Sequence, residues 1–226
     1  MLLEACKRMK LLIISDLHYP LGSMDEAKRI IRKERPDHVA FLGDNIDTSS
    51  GASALSLYSK FVGEISASFP LRRTIMLLGD GDYLFQADRK KILNYANSLK
   101  TMNRNHVVYR KGNMVFFHGN VERYRNLERL GKHVVTLSVS FGMHSVMPTL
   151  VGSYARIVLG AKWHDFLFLG HLHFLGKSRI SRTTFCGTLN RRARYFGKRS
   201  LGYVVVDHED FTVRSMEDIK TVGAGR

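Results

Sequence analysis

Cysteine is scarce in this chain: Cys6 and Cys186 stand far apart and in no metal-ligand pattern. That usage excludes a disulfide framework and fits a reducing compartment. No apolar run is long enough to cross a bilayer. The opening MLLEACKRMK breaks its short apolar stretch with charges and offers no small-residue cleavage site. It reads as neither signal peptide nor membrane span, so the expectation is a soluble, cytoplasmic protein. Internal repeats, low-complexity tracts and linkers are absent too. The expected organisation is one domain over residues 1–226, with 121–164 a helical elaboration and 216–226 a polar tail. Acidic residues are also few, 20 against 35 Lys plus Arg, for a formal charge of +15 and a pI near 10.0. Such an imbalance favours anionic partners: nucleic acid, nucleotides or an anionic membrane surface. A solvated basic surface is the plain alternative.

At 44% hydrophobic the chain can bury a sizeable core. Leu11 to Ser15 predicts a strand opening on Asp16. Ser23 with Glu26 makes a capping box, and the helix it starts is stopped by Pro36. Strands are predicted over His38 to Leu42 and Thr74 to Leu78, with helices over Ala54 to about Ser68 and over 84–100. Val107 to Tyr109 and Met114 to Phe117 read as strands joined by a Lys111-Gly112-Asn113 turn. Residues 121–164 read as mainly helical, broken at Gly142 and Pro148. Later strands fall at Phe166 to Leu169, about 182–187, 202–207 and Phe211 to Ser215. Alternating strands and helices followed by hairpins predict an α/β fold, a sandwich with mixed sheets. Ligands in such sheets gather at the carboxyl ends of strands.

Those ends are where the acidic and imidazole residues fall. Asp16-Leu17-His18, Gly43-Asp44-Asn45-Ile46-Asp47, Gly79-Asp80-Gly81-Asp82, His118-Gly119-Asn120 and Gly170-His171-Leu172-His173 each follow an apolar strand. Taken singly, each is more often a capped turn or a surface loop. Chance agreement of all five in this order is improbable. Carboxylates mixed with imidazoles suit divalent first-row metals in hydrolytic sites. Two such ions about 3.5–4 Å apart can share a bridging carboxylate and a hydroxide that attacks phosphorus in line.

In this pattern the chain resembles the calcineurin-like metallophosphoesterases, whose motifs are D-x-H, G-D-x-x-D, G-N-H-D or G-N-H-E, a lone His, and G-H-x-H. The resemblance spans residues 11 to about 215. It implies a four-layer-type sandwich of two mixed β-sheets flanked by helices. It also implies two divalent ions, with Asp16, His18 and His173 at one, Asp80, His118 and His171 at the other, and Asp44 between them. Mn²⁺ is the expected metal, with Zn²⁺, Fe²⁺, Ni²⁺ and Co²⁺ also compatible. Cys186-Gly187-Thr188-Leu189 resembles the family's small-residue turn before the closing hairpin.

The third motif departs from the family. Asp80 stands where Asn is common, and Gly81 stands where a His is common. A third carboxylate would hold metal more firmly while weakening each ion as a Lewis acid, moving the activity optimum towards alkaline pH. The family's missing His stabilises phosphate and protonates the leaving alkoxide. General-acid help is worth about 10²–10⁴-fold, so poor leaving groups should suffer most. Asp82, which in the family orients that His, becomes a supporting group. His144 and Tyr83 are substitute proton donors whose usual role is structural. Small relatives without this His keep phosphodiesterase activity on activated substrates, whereas the retromer scaffold subunit has lost catalysis.

Arg191, Arg192, Arg194, Lys198 and Arg199, interleaved with Tyr195 and Phe196, suit a phosphate backbone and stacked bases. Arg123, Arg125, Arg129 and Lys132 form a second group. The expectation is therefore a phosphodiesterase acting on nucleotide or nucleic-acid phosphodiesters through a metal-bridging hydroxide. Asp44, Asp80 and Asp82 would serve catalysis, and Arg191, Arg192 and Arg194 would bind substrate. The rivals are a phosphomonoesterase and a catalytically weak metal-binding scaffold. Beyond the phosphate-ester substrate, nucleic acid is the expected partner and a membrane is not; the oligomeric state is left open.

Overall fold

The structure, a computed structural model, describes residues 9–21, 24–49, 51–84, 86–118, 146–190, 201–207 and 210–215. In its first half lie β1 (Lys10–Ile14), α1 (Met24–Glu34), β2 (His38–Leu42), α2 (Ala54–Ser66), β3 (Thr74–Leu77) and α3 (Arg89–Ser98). There follow β4 (Val108–Lys111), β5 (Met114–Phe117), α4 (Val146–Val158), β6 (Phe166–Leu169) and β7 (Leu175–Ser178). The chain closes with β8 (Thr183–Cys186), β9 (Gly202–Asp207) and β10 (Asp210–Ser215).

These strands form two five-stranded sheets, ordered β10-β9-β1-β2-β3 and β4-β5-β6-β8-β7. Both are mixed. β1, β2 and β3 run parallel, with β9 and β10 antiparallel beside them. In the second sheet β5, β6 and β8 run parallel between antiparallel β4 and β7.

Strand residues alternate between two cores, as the period of two requires. Leu11, Ile13, Ala40, Leu42, Ile75 and Leu77 face Phe116, Phe168 and Cys186 of the other sheet. Leu12, Ile14, Val39, Phe41 and Met76 face outward, onto Ala27, Ile30, Tyr58, Phe61, Ile92 and Ala96 of α1, α2 and α3. On the far side, Phe117, Leu167, Leu169 and Phe185 pack on Val151 and Ala155 of α4. The layers are helix, sheet, sheet and helix, as the sequence leads one to expect. Because β1 and β2 are covered on both faces, their sequences are almost wholly apolar rather than alternating.

Several element limits differ from expectation, each for a local reason. The helix expected over 84–100 is confined to Arg89–Ser98, and Asp80–Leu84 forms a wider π-helical turn. There Asp82 accepts the N–H groups of Gly79 and Ile46, a competing use of hydrogen bonds that disfavours regular helix. The strand expected over 182–187 shrinks to Thr183–Cys186, because Arg182 and Gly187 at its ends take φ of 48° and 68°. β7 was not expected at all. Its Leu-Gly-Lys-Ser sequence has little strand character, and pairing with β8 makes it a strand. Pro148, expected as a breaker, falls in the first turn of α4, where no intrahelical N–H is needed. Ser23, residues 121–145, Cys6, His144, the arginine-rich stretch 191–200 and the tail 216–226 lie outside the described residues.

Candidate metal centre

Five parallel strands end at one place. β1 leads to Asp16 and His18, β2 to Gly43-Asp44, β3 to Gly79-Asp80, β5 to His118, and β6 to Gly170, His171 and His173. The backbone there is unusual. Left-handed φ values occur at Asp16 (52°), His18 (52°), Asp44 (47°), His171 (69°) and His173 (47°). Each costs about 1–2 kcal/mol for a residue with a Cβ, so such residues persist only where their surroundings hold them. Here Asp16 N–H donates to Gly43 O at 3.1 Å and His18 N–H to Asp44 O at 2.9 Å, locking the first loop onto the second. The glycines are needed for close approach: a Cβ on Gly79 would lie 2.2 Å from Asp44 Oδ1.

The side chains form two overlapping clusters, Asp16, Asp44, His118, His171 and Asp16, His18, Asp44, His173, with the ligand atoms of each within 4.8 Å of one another. His173 Nε2 is 3.4 Å from Asp16 Oδ1 and 3.1 Å from His18 Nε2. His118 Nε2 lies 3.5 Å from Asp16 Oδ1 and 3.6 Å from Asp44 Oδ2. Asp80 Oδ1 is 3.4 Å from His171 Nδ1 and 4.0 Å from His118 Nδ1. All seven residues expected as ligands are thus brought together.

The donor set fits divalent ions. Both ring nitrogens of His118, wholly buried, make no hydrogen bond. Leaving such groups unsatisfied is costly, and a bound cation removes the cost. Atoms sharing one ion at about 2.0–2.2 Å stand roughly 3–3.5 Å apart, the spacing of the closest pairs here. Asp16 is buried, and among the described residues no lysine or arginine pairs with it or with Asp44.

Electrostatics separate the carboxylates. Burial pushes the Asp16 pKa up, but the close approach and charge of His118 and His173 outweigh it and hold the group well below the usual range. At Asp80 burial is likewise overcome, chiefly by His171 and then His118, bringing it to about 2. Asp82 goes the other way, to about 7, through burial and then the Asp44 charge, with partial relief from the Gly79 and Ile46 N–H groups. Burial also lowers His118, but Asp44 and Asp16 more than compensate and raise it.

Asp82 stands apart from the ligand atoms. It accepts from Gly79 N–H at 2.8 Å, Ile46 N–H at 2.9 Å and Asn45 Nδ2 at 2.9 Å, joining the loops after β2 and β3. Sequence reasoning passed over several supports. Ser15 Oγ donates to Asp16 Oδ2, Thr188 Oγ1 donates to Asp16 O at 2.6 Å, and Asp47 Oδ2 lies 3.7 Å from His18 Nδ1. Asp47 had a signal, as the second carboxylate of G-D-x-x-D; Ser15 had none. Arg191, Arg192 and Arg194 lie outside the described residues, so their distance from this centre is not part of its geometry.

A family model described as calcineurin-like phosphoesterase matches residues 9–175. No curated protein matches the chain. Among solved structures, the phosphoesterase Yfce from E. coli superposes with a TM-score of 0.54 at 14% identity, over 93% of this chain and 94% of that one. A structure described as a novel archaeal phosphodiesterase gives 0.50 at 16% identity, over 91% and 99%. At these identities the likeness is one of fold.

Proposed function

Because the chain belongs to the calcineurin-like phosphoesterase family, we propose that it is a metal-dependent phosphodiesterase acting on nucleotide or nucleic-acid phosphodiesters. The observation that carries this reading is the pair of ligand clusters sharing Asp16 and Asp44. Asp16, His18 and His173 would hold one divalent ion, Asp80, His118 and His171 a second, and Asp44 both. Mn²⁺ suits a set of oxygen and imidazole donors without thiolate. Bound there, the ions supply Lewis acidity and an activated water for attack on phosphorus.

The chain's own residues shape the rest. Gly81 N–H donates to Asp44 Oδ1 at 2.9 Å and fixes that carboxylate, while position 81 offers no side chain to protonate a leaving group. Diesters with good leaving groups are therefore the favoured substrates. The archaeal structure of like fold is described as a phosphodiesterase, which supports the diester reading. The formal charge of +15 supports an anionic polymer or nucleotide.

The test is Mn²⁺-reconstituted protein assayed against paired aryl mono- and diesters, then against oligonucleotides. Diester preference and oligonucleotide cleavage are expected. Monoester preference would replace the reading by a phosphomonoesterase. Tight metal binding without turnover would leave a scaffold.

A further inference from the structure

A few large apolar side chains are left exposed. Among the described residues these are Leu150 (49%), Ile157 (78%), Trp163 (70%) and Ile180 (68%). Arg156 draws three of them together. Its guanidinium donates to Lys162 O, to Asp165 O at 2.8 Å and to Ser181 O at 2.7 Å, and lies 5.7 Å from the centroid of the Trp163 ring. That one group ties the end of α4 to the 162–165 turn and to the turn between β7 and β8. Ile157 and Ile180 are chain neighbours of the tied residues, and Leu150 lies two helical turns back on the same face as Ile157.

The charged side chains of this segment are nearly all of one sign. Lys162, Lys177 and Arg179 are exposed, each within three residues of Trp163 or Ile180 along the chain. Residues 146–190 contain a single carboxylate, Asp165. It is buried and occupied by Arg110 and the Lys162 N–H.

We propose that this end of the molecule is a docking surface for an anionic lipid bilayer. Exposed apolar side chains gathered in one place mark an interaction site. Tryptophan and aliphatic tips ringed by lysine and arginine are what an interface of acyl chains and anionic headgroups receives. A second copy of the chain fits poorly, because its cations would oppose like charges. Nucleic acid would use the cations and Trp163 but gains nothing from Leu150, Ile157 and Ile180. The patch adjoins the amino end of β6, whereas His171 and His173 follow its carboxyl end. A docked molecule would hold its metal centre away from the lipid, so docking localises the protein. This departs from the expectation of no membrane partner, which rested on the lack of an apolar span, and it stands independently of the proposed reaction.

Trp163 is the only tryptophan in the sequence, so its emission reports this surface alone. The full chain is titrated with vesicles of phosphatidylcholine alone and of phosphatidylcholine mixed with phosphatidylglycerol. A blue shift, quenching by brominated acyl chains and co-sedimentation are expected with the anionic vesicles only, and all should fade with added salt. Ile157→Ser with Ile180→Ser should lower the partition coefficient by about tenfold or more. Lys162→Gln and Arg179→Gln should each lower it about fivefold. Emission unmoved by anionic vesicles overturns the proposal, as does an equal response to neutral vesicles. A shift produced by single-stranded oligonucleotide but not by vesicles would assign the surface to nucleic acid instead.

Discussion

Gly81 and Asp44 meet closely: the Gly81 N–H donates to Asp44 Oδ1 at 2.9 Å, and a Cβ on Gly81 would stand 3.0 Å from that same oxygen. A side chain at this position therefore presses on one of the two carboxylates shared by both ligand clusters. Gly81→Ala should lower turnover of an activated aryl diester modestly. Compared with that variant, Gly81→His should raise turnover of an alkyl diester about tenfold more than that of the aryl diester, part of the roughly 10²–10⁴-fold a general acid supplies. Equal changes on both substrates would show that leaving-group protonation is not what position 81 lacks.

Asp44 belongs to both clusters, whereas His18 and His171 each belong to one. Asp44→Ala should cost both ions, lowering apparent metal affinity by more than about 100-fold, since even outer partners of a ligand are worth 10–100-fold. His18→Ala should cost one. Metal content after gel filtration checks this, and full occupancy in Asp44→Ala would refute the shared role.

Asp82 takes three donors on two oxygens. In Asp82→Asn an amide N–H₂ must face at least one of those donors. A loss of about 2–3 kcal/mol follows, which for a chain of this size is roughly 5–10 °C in melting temperature. Weaker metal binding should accompany it, because the loops carrying Asp44 and Asp80 are the ones Asp82 joins. Unchanged thermal denaturation and metal affinity would leave Asp82 without that function.

Glu34, nearly buried, is ion-paired with Lys10 at 3.0 Å and accepts from Tyr203 Oη at 2.8 Å. Burial raises its pKa, but Lys10 and Tyr203 outweigh this and bring it below the ordinary value. With the folded pKa depressed, the stabilisation is present above the unfolded value, near 4.3, and is lost as pH falls through the folded one. Glu34→Gln should cost about 1–2 kcal/mol at neutral pH and flatten the acid limb of the stability curve below about pH 4.3. Denaturant melts at neutral pH and below pH 4 measure both, and parallel curves for the two proteins would refute the linkage.

If Arg191, Arg192 and Arg194 grip a nucleic-acid backbone, affinity should fall steeply with salt. Replacing all three with Gln should weaken binding across sequences and flatten that dependence by up to about 3 in log–log slope, while aryl diester turnover stays unchanged. An unaltered slope would reduce the stretch to a solvated surface.

The layered fold and the gathering of aspartates and histidines at the strand ends were legible in the sequence because both rest on local rules. β1 and β2 are apolar runs of strand length, and Asp16, Asp44, Asp80, His118, His171 and His173 follow such runs at the strand ends where ligands gather. The departure at Gly81 was also readable, as a residue type missing from a known pattern. Three features were decided only by tertiary structure. β7 exists because β8 supplies its hydrogen bonds, not because Leu-Gly-Lys-Ser favours a strand. Asp82 became a tie between loops because its partners Asn45 and Ile46 are 37 and 36 residues away in the chain. The exposure of Ile157, Trp163 and Ile180 has no mark in the sequence. Whether such a side chain is covered or left in water depends on what packs beside it, and composition and spacing do not carry that information.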